Sequence, residues 1–244
     1  MSPGPRPLLF CDLDDTLFQT ARKMREPPHP ARLAAVATNG HDSYMTEAQA
    51  NLVDWLLATT HAIPVTARST AALARCQLPF DSWQVAANGA VILDPDGGTD
   101  PTWRERIAAT AAQSGAQLSQ LAAAMVEIDR SARFRHWIVE EDGMPIYFCV
   151  KANHDERDLH QVAPQLSTIA GPQLRRHHNG NNLSFTPAAI SKRAAVVHLR
   201  ERLAQRGQAV LGMGDSLTDL PFMSACEMMM IPAGSQIHTT MAEE

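Results

Sequence analysis

A chain of 244 residues is long enough for one large domain, or for one domain with a second inserted into it. Hydrophobic residues at 45% and charged residues at 19% are an ordinary globular balance. The net charge of −5 offers no polybasic surface for nucleic acid or membrane, and no apolar run approaches the roughly 18 residues of a membrane span.

The opening "MSPGPRPLLF" lacks a signal peptide's apolar core, since three prolines precede only a short strand-like run. Cys11, Cys76, Cys149 and Cys226 are far apart and form no CxxC pair. They read as reduced thiols, most of them packing residues, in a cytoplasmic protein.

Residues 7–11 read as a short buried strand that runs into an acidic cluster, Asp12, Asp14 and Asp15. The long segment 21–44 follows, with "TNG" as the turn of a hairpin or flap. "MTEAQANLVDWLLATT" is a helix with Thr46 as N-cap, Gln49 three residues on, and apolar Leu52, Val53, Leu56 and Leu57 on one face. "HAIPVTAR" is a second strand ending at Thr66, "ARSTAALARCQL" is helical, and "WQVAANGAVILD" is a third strand region broken at Asn88-Gly89. This alternation predicts a parallel sheet covered by helices.

The rhythm changes after the turn cluster "DPDGGTDP" (94–101), taken as a domain boundary. Two helices, "TWRERIAATAAQSG" and "QLSQLAAAMVEI", precede a hairpin turning at Asp142-Gly143. A further helix must end or kink at Pro164, and a second hairpin turns at Asn179-Gly180. From Ser191 the first rhythm resumes. A helix capped by Ser191 ends near Gly207, a strand runs into "GDSLTD", and Met228–Met230 form a last strand expected in the core. The middle therefore reads as an α+β insertion in an α/β core built from both ends of the chain.

In an open parallel sheet, ligands bind beyond the carboxyl ends of the strands. Asp12/Asp14, Thr66 and Asp215/Asp219 all follow predicted strands, and Lys192 lies in the first turn of a helix. Crowded carboxylates repel unless a cation sits among them. Several carboxylates, one hydroxyl and one ammonium suit a phosphate ester with Mg²⁺, which needs few protein oxygens because it keeps several waters. Asp12 and Asp215 are the expected carboxylate ligands, with the backbone carbonyl of Asp14. Lys192, Thr66 and the helix N-terminus are the donors to phosphoryl oxygens.

The segments "DLDDT", "VTAR", "SKRAA" and "GDSLTD" resemble, in order and separation, the four motifs of the haloacid dehalogenase superfamily and its phosphatases. The insertion after "NGAVILDPDG" is similar to the C2-type cap of one branch. That branch contains sucrose-phosphate, trehalose-phosphate and mannosyl-3-phosphoglycerate phosphatases and the Cof-type sugar phosphatases. The resemblance implies an α/β, Rossmann-like parallel-sheet core from 1–97 and 187–244, with an inserted α+β cap from 98–186. It implies a phosphoric monoester hydrolase in which Asp12 is the nucleophile and Asp14 the general acid/base. Thr66 and Lys192 would bind the phosphoryl group, Asp215 would bind Mg²⁺, and Asp219 would support the metal site.

Three positions depart from the usual pattern: Asp15 where glycine is common, Ala67 in place of the glycine of "TGR", and Thr218 where asparagine is usual. None removes a functional group assigned above. Arg68 either binds substrate or pairs with a carboxylate, and Asn88 either contacts substrate or only forms a turn. In the insertion, Arg176, His178 and Asn181 either face solvent or reach a sugar or carboxylate. His154, His160, His177 and His178 lack the spacing of a zinc site. The expected partner is a small phosphorylated metabolite, a sugar or polyol phosphate, with neither nucleic acid nor membrane, and the expected state is a monomer. Two competing readings are a phosphomutase of the same superfamily and a catalytically idle metabolite-binding or regulatory member.

Overall fold

The structure, a computed structural model, describes residues 4–242, apart from the side chain of Asn179. Contacts divide it into two compact units, one from the two ends of the chain through Asp100 and from Ser191, the other Pro101–Ile190. The divisions fall a few residues beyond those expected at 97 and 186.

The first unit begins with β1 (Leu8–Cys11), buried at every residue. Three short strands follow: β2 (Gln19–Thr20), β3 (Leu33–Ala35) and β4 (Ser43–Tyr44). They form a small antiparallel sheet in the order β2-β4-β3. Segment 21–44 is thus a hairpin with a third strand laid beside it. The turn between β3 and β4 carries Gly40 at φ 75, as the "TNG" signal implied.

Helix α1 (Glu47–Thr59) starts at a complete capping box. The Thr46 hydroxyl accepts the Gln49 N–H at 3.2 Å, and the Gln49 side chain accepts the Thr46 N–H at 2.9 Å. Next come β5 (His61–Pro64) and α2 (Thr70–Leu73), which is far shorter than its helical pattern suggested. The third strand region is a hairpin. Strands β6 (Gln84–Ala86) and β7 (Val91–Leu93) pair antiparallel around a tight turn at Ala87–Gly89.

The second unit contains α3 (Pro101–Ile128), β8 (Phe134–Glu141), β9 (Met144–Ala152), α4 (Asp158–Ala170), β10 (Leu174–Asn179) and β11 (Asn182–Pro187). Its four strands form an antiparallel sheet in the order β10-β11-β9-β8. The two helices expected at its start are one helix. Trp103, Ile107, Ala111, Ser114, Leu118, Leu121 and Met125 recur at steps of three or four, so one continuous face is buried. Ser114 and Gly115 do not interrupt it, because the buried stripe continues across them, with the Ser114 hydroxyl satisfied by the Thr110 carbonyl at 2.8 Å.

Pro164 likewise leaves α4 unbroken, since Leu159, Val162, Ala163 and Leu166 on both sides of it lock into the same core as Leu118 and Phe148. Packing overrides the lost hydrogen bond. The first hairpin turns at Asp142-Gly143 as expected, with φ 51 and 72. The second turns one residue later than expected, at Gly180-Asn181, because Asn179 still pairs with Asn182.

The chain then returns to the first unit with α5 (Lys192–Leu203), β12 (Val210–Met213), α6 (Leu220–Met223), β13 (Met228–Met230) and α7 (Gln236–Ala242). Helix α5 ends at Leu203, short of Gly207. The parallel sheet has the order β13-β12-β1-β5. Cys11 lies beside Met213 on one side and Pro64 on the other, so three strands end in register. The loops that follow them therefore leave from one edge. Met228–Met230 are not core: β13 is the edge strand of this sheet, with Met228 64% and Met229 53% exposed. Among the described residues, no helix is long and apolar enough to cross a membrane.

The buried stripe of α3 sets one expectation. Leu118→Ala should cost about 2–5 kcal/mol by urea unfolding, whereas Val126→Ala, on the exposed face of the same helix, should stay within about 0.5 kcal/mol.

Candidate active site

Three loops leave the carboxyl edge of the parallel sheet together. After β1 the chain makes a tight loop in which the Leu17 N–H bonds the Leu13 carbonyl at 2.9 Å and the Asp15 N–H bonds the Phe18 carbonyl at 2.7 Å. Asp15 sits at φ 62, in the left-handed region that glycine prefers and aspartate tolerates. The backbone thus accounts for a glycine preference at this position. Asp15 itself pairs with Lys23 at the surface.

Asp12 is buried at the sheet edge, where its N–H bonds the Met213 carbonyl at 2.8 Å. Its Oδ1 accepts from Lys192 Nζ at 2.5 Å, and its Oδ2 lies 3.4 Å from the Thr16 hydroxyl. Thr16 also donates to Asp215 Oδ1 at 3.1 Å and so ties the β1 loop to the β12 loop. The sequence reading gave Thr16 no role, although it closes the "DLDDT" motif. A hydroxyl four residues after Asp12, on a tight loop, is the signal that could have found it.

Lys192 is brought in by the first turn of α5, whose N-cap hydroxyl, Ser191 Oγ, accepts the Ala194 N–H at 3.1 Å. The ammonium bridges Asp12 and Asp219, the latter at 2.7 Å. The remaining oxygen of Asp219 accepts both the N–H and the hydroxyl of Ser216, at 3.1 and 2.6 Å. Asp219 is therefore committed to aiming Lys192 and closing its own loop. Gly214 permits this approach, because a Cβ there would meet the Asp219 Cβ at 2.6 Å.

Lys192 also depends on Gly89. At φ +95, a side chain at Gly89 would meet the Ser191 carbonyl at 2.3 Å, so the 87–89 turn packs against the start of α5 backbone to backbone. Ala87, Asn88 and Gly89 all have positive φ (49, 58 and 95). The turn is held by the Ala87 and Asn88 N–H groups, which bond the Arg68 and Thr66 carbonyls at 2.7 and 3.0 Å. The Thr66 hydroxyl, buried, accepts the Arg68 N–H at 3.1 Å. Ala67 needs no glycine, since its φ is not positive.

Asp12, Asp215, Asp219, Lys192, Thr16, Thr66, Arg68 and Asn88 thus belong to loops and turns that bond to one another in one unit. Asp14 joins them through Arg68, which grips both its carboxylate oxygens at 2.7 and 2.6 Å. Arg176, His178 and Asn181 belong to the other unit, on the β10–β11 hairpin. There His178 bonds the Gly180 carbonyl at 3.1 Å and stands edge-on to His160 at 5.0 Å, while Arg176 and Asn181 are exposed.

The charges do not balance. Four carboxylates face one ammonium and one guanidinium. Burial raises Asp12 to about 7 against the pull of Lys192, with Asp219 and Asp14 adding to the rise. Burial and then Asp219 raise Asp215 to about 6, opposed by the Thr16 hydroxyl. Lys192 is held charged above its ordinary range, because Asp12 and Asp219 outweigh its burial. Oxygens of Asp12, Asp215 and Asp219 lie within 4.8 Å of one another, the one such group among the described residues, and the histidines form none. Hard carboxylate oxygens short of positive charge fit a divalent cation such as Mg²⁺.

No protein-family model matches the sequence, and a search of curated proteins finds no match. Solved structures do match. The sucrose-phosphatase of Synechocystis, solved with sucrose and phosphate, superposes with a TM-score of 0.60 at 15% identity, over 98% of this chain and 97% of that one. The chain has the haloacid dehalogenase fold. A trehalose-6-phosphate phosphatase related protein matches with a TM-score of 0.56 at 15% identity, over 94% of this chain and 88% of that one. A haloacid dehalogenase-like hydrolase from Bacteroides thetaiotaomicron gives 0.54 at 12% identity, over 93% and 94%. The haloacid dehalogenase fold is thus kept over nearly the whole length of both chains, with the cap insertion included in the match.

Metal ligands must be deprotonated to bind. Asp12 and Asp215, raised to about 7 and about 6, compete for protons below those values. If these carboxylates hold a divalent cation, adding Mg²⁺ should raise the melting temperature, more at pH 8 than at pH 5.5. A scanning-fluorimetry titration at the two pH values measures it.

Proposed function

We propose that the protein is a magnesium-dependent phosphatase that hydrolyses a sugar or polyol phosphate through an aspartyl-phosphate on Asp12. The observation that carries this reading is the buried Asp12 carboxylate at the sheet edge. It is held between Lys192 on one oxygen and the Thr16–Asp215 pair on the other. A carboxylate fixed in this way is held in one orientation, as attack on phosphorus requires.

In the first step an Asp12 oxygen attacks phosphorus, the ester P–O bond breaks, and Asp14 gives its proton to the leaving alkoxide. In the second, water attacks the phosphorus and loses a proton to Asp14. The bond from phosphorus to Asp12 then breaks, and inorganic phosphate leaves with both aspartates restored. Lys192, the Thr66 hydroxyl and the N-terminus of α5 supply donors to the phosphoryl oxygens. Mg²⁺, held by Asp12 and Asp215, would offset the charge of the phosphoryl group and of the crowded carboxylates. Asp219 keeps Lys192 in place.

We assign Pro101–Ile190 the role of a C2-type cap that selects the leaving group, with Arg176, His178 and Asn181 as its candidate contacts. The sugar phosphates named for the sucrose-phosphatase and the trehalose-6-phosphate phosphatase relative support that substrate class.

The test is phosphate release from a panel: sucrose 6-phosphate, trehalose 6-phosphate, glucose 6-phosphate, glycerol phosphate and phosphoglycerate, with and without Mg²⁺. Magnesium-dependent release is expected, lowered at least about a thousandfold in Asp12→Asn. Asp14→Asn, given p-nitrophenyl phosphate, should accumulate a phosphoryl adduct that intact-mass spectrometry detects. No release from any ester by the folded, metal-loaded protein would overturn the assignment.

A further inference from the structure

Arg68 grips Asp14 with a complete fork. Nε donates to Oδ2 at 2.7 Å and Nη2 to Oδ1 at 2.6 Å, so one guanidinium edge meets both carboxylate oxygens. The guanidinium is itself fixed from two further sides. Nη2 lies 3.4 Å from the hydroxyl of Ser43, a buried residue of β4, and the guanidinium carbon sits 5.1 Å from the centre of the Phe18 ring. The backbone of Arg68 is equally constrained, with its N–H on the Thr66 hydroxyl at 3.1 Å and its carbonyl on the Ala87 N–H at 2.7 Å. The Arg68 side chain is only 17% exposed, whereas that of Asp14 is 46% exposed.

Two segments, the β1 loop through Asp14 and Phe18 and β4 through Ser43, thus hold one guanidinium, and its fork points at a carboxylate that keeps an open side. The pair is part-buried, and a complete fork of this kind fixes geometry as well as contributing energy. The arrangement is suited to fixing a direction. A general acid acts only when its oxygen lies on the path of the departing group, and a freely rotating carboxylate spends little of its time there.

We infer that Arg68 is a positioning residue for Asp14, which it aims at the leaving oxygen, and not a residue that binds substrate. The inference rests on the phosphatase reading. It also gives the 21–44 segment a task, since Ser43 is one of the contacts that hold Arg68.

Esters separate this role from a structural one. A sugar alkoxide leaves only with a proton, whereas p-nitrophenolate leaves without one. The constant kcat/KM reports the steps up to phosphoryl transfer onto Asp12, before water enters. The measurement is therefore the ratio of kcat/KM for the fastest sugar or polyol phosphate of the panel above to that for p-nitrophenyl phosphate. Arg68→Ala should lower this ratio roughly 10–100-fold, a part of the roughly 100–10,000-fold that general acid catalysis supplies. Arg68→Lys should fall between, because an ammonium has no fork, and it carries the test if the alanine variant does not fold. In an Asp14→Asn background, Arg68→Ala should leave the ratio where Asp14→Asn alone puts it, because the two act as one unit.

An unchanged ratio, with both esters slowed alike or with KM alone raised, would overturn the inference while leaving an active wild type as a phosphatase. A wild type that releases phosphate from neither ester would overturn both readings.

Discussion

Much of the first unit depends on where one ammonium is placed. Lys192 bonds Asp12, 180 residues away in sequence, and Asp219, 27 residues away. Burying a lysine costs several kcal/mol unless its partners are close and well oriented, and both are. The ammonium therefore fixes the mutual position of the β1 loop, the β12 loop and the start of α5. Removing it would leave two buried carboxylates facing each other beside a third, Asp215. Such a device is poor economy for stability alone. On the proposed reading, it is the fixed half of a site whose other positive charge would arrive with a metal ion.

The approach of these groups is set by the backbone before any side chain acts. Cys11, Met213 and Pro64 end their strands side by side, so Asp12, Asp215 and Thr66 start their loops at one level. Gly214 lets Asp219 come close, and Gly89 lets the 87–89 turn touch the first turn of α5. The left-handed run Ala87–Asn88–Gly89 is strained for alanine. The Thr66 and Arg68 carbonyls that hold it belong to the "VTAR" motif itself. The strain and the candidate phosphate donors are thus parts of one hydrogen-bonded unit.

These relations explain what could be read from the sequence. Capping at Thr46 and Ser191, the strand leading into "DLDDT" and the Asp142-Gly143 turn are local signals, and they appear where propensity puts them. The elements that departed are those decided by distant partners. Helix α3 stays whole because its buried stripe continues across Gly115, and α4 passes Pro164 because its core face continues on both sides. Met228–Met230 looked like core because hydrophobicity alone does not reveal which strand lies at a sheet edge. In the site, the acidic and basic groups stood out because they follow strands in an informative order, and the structure brings Asp12, Asp215, Asp219 and Lys192 together. Thr16 was missed because a threonine is a common loop residue until Asp215, 199 positions on, is seen within reach.

Sequence identities of 12–15% with this much shared fold show how little of the chain must be kept for the fold to persist. On the proposed reading, the constraint is concentrated in short loops after parallel strands, where each residue answers to a charge or to a close backbone contact. The 21–44 segment is a different case. It contributes two short strands, β3 and β4, and through Ser43 of β4 one buried hydroxyl reaches the guanidinium that grips Asp14. A segment with little core of its own can then vary freely along most of its length and still act on the chemistry at one point. That is the pattern expected of an element that tunes a site rather than builds it.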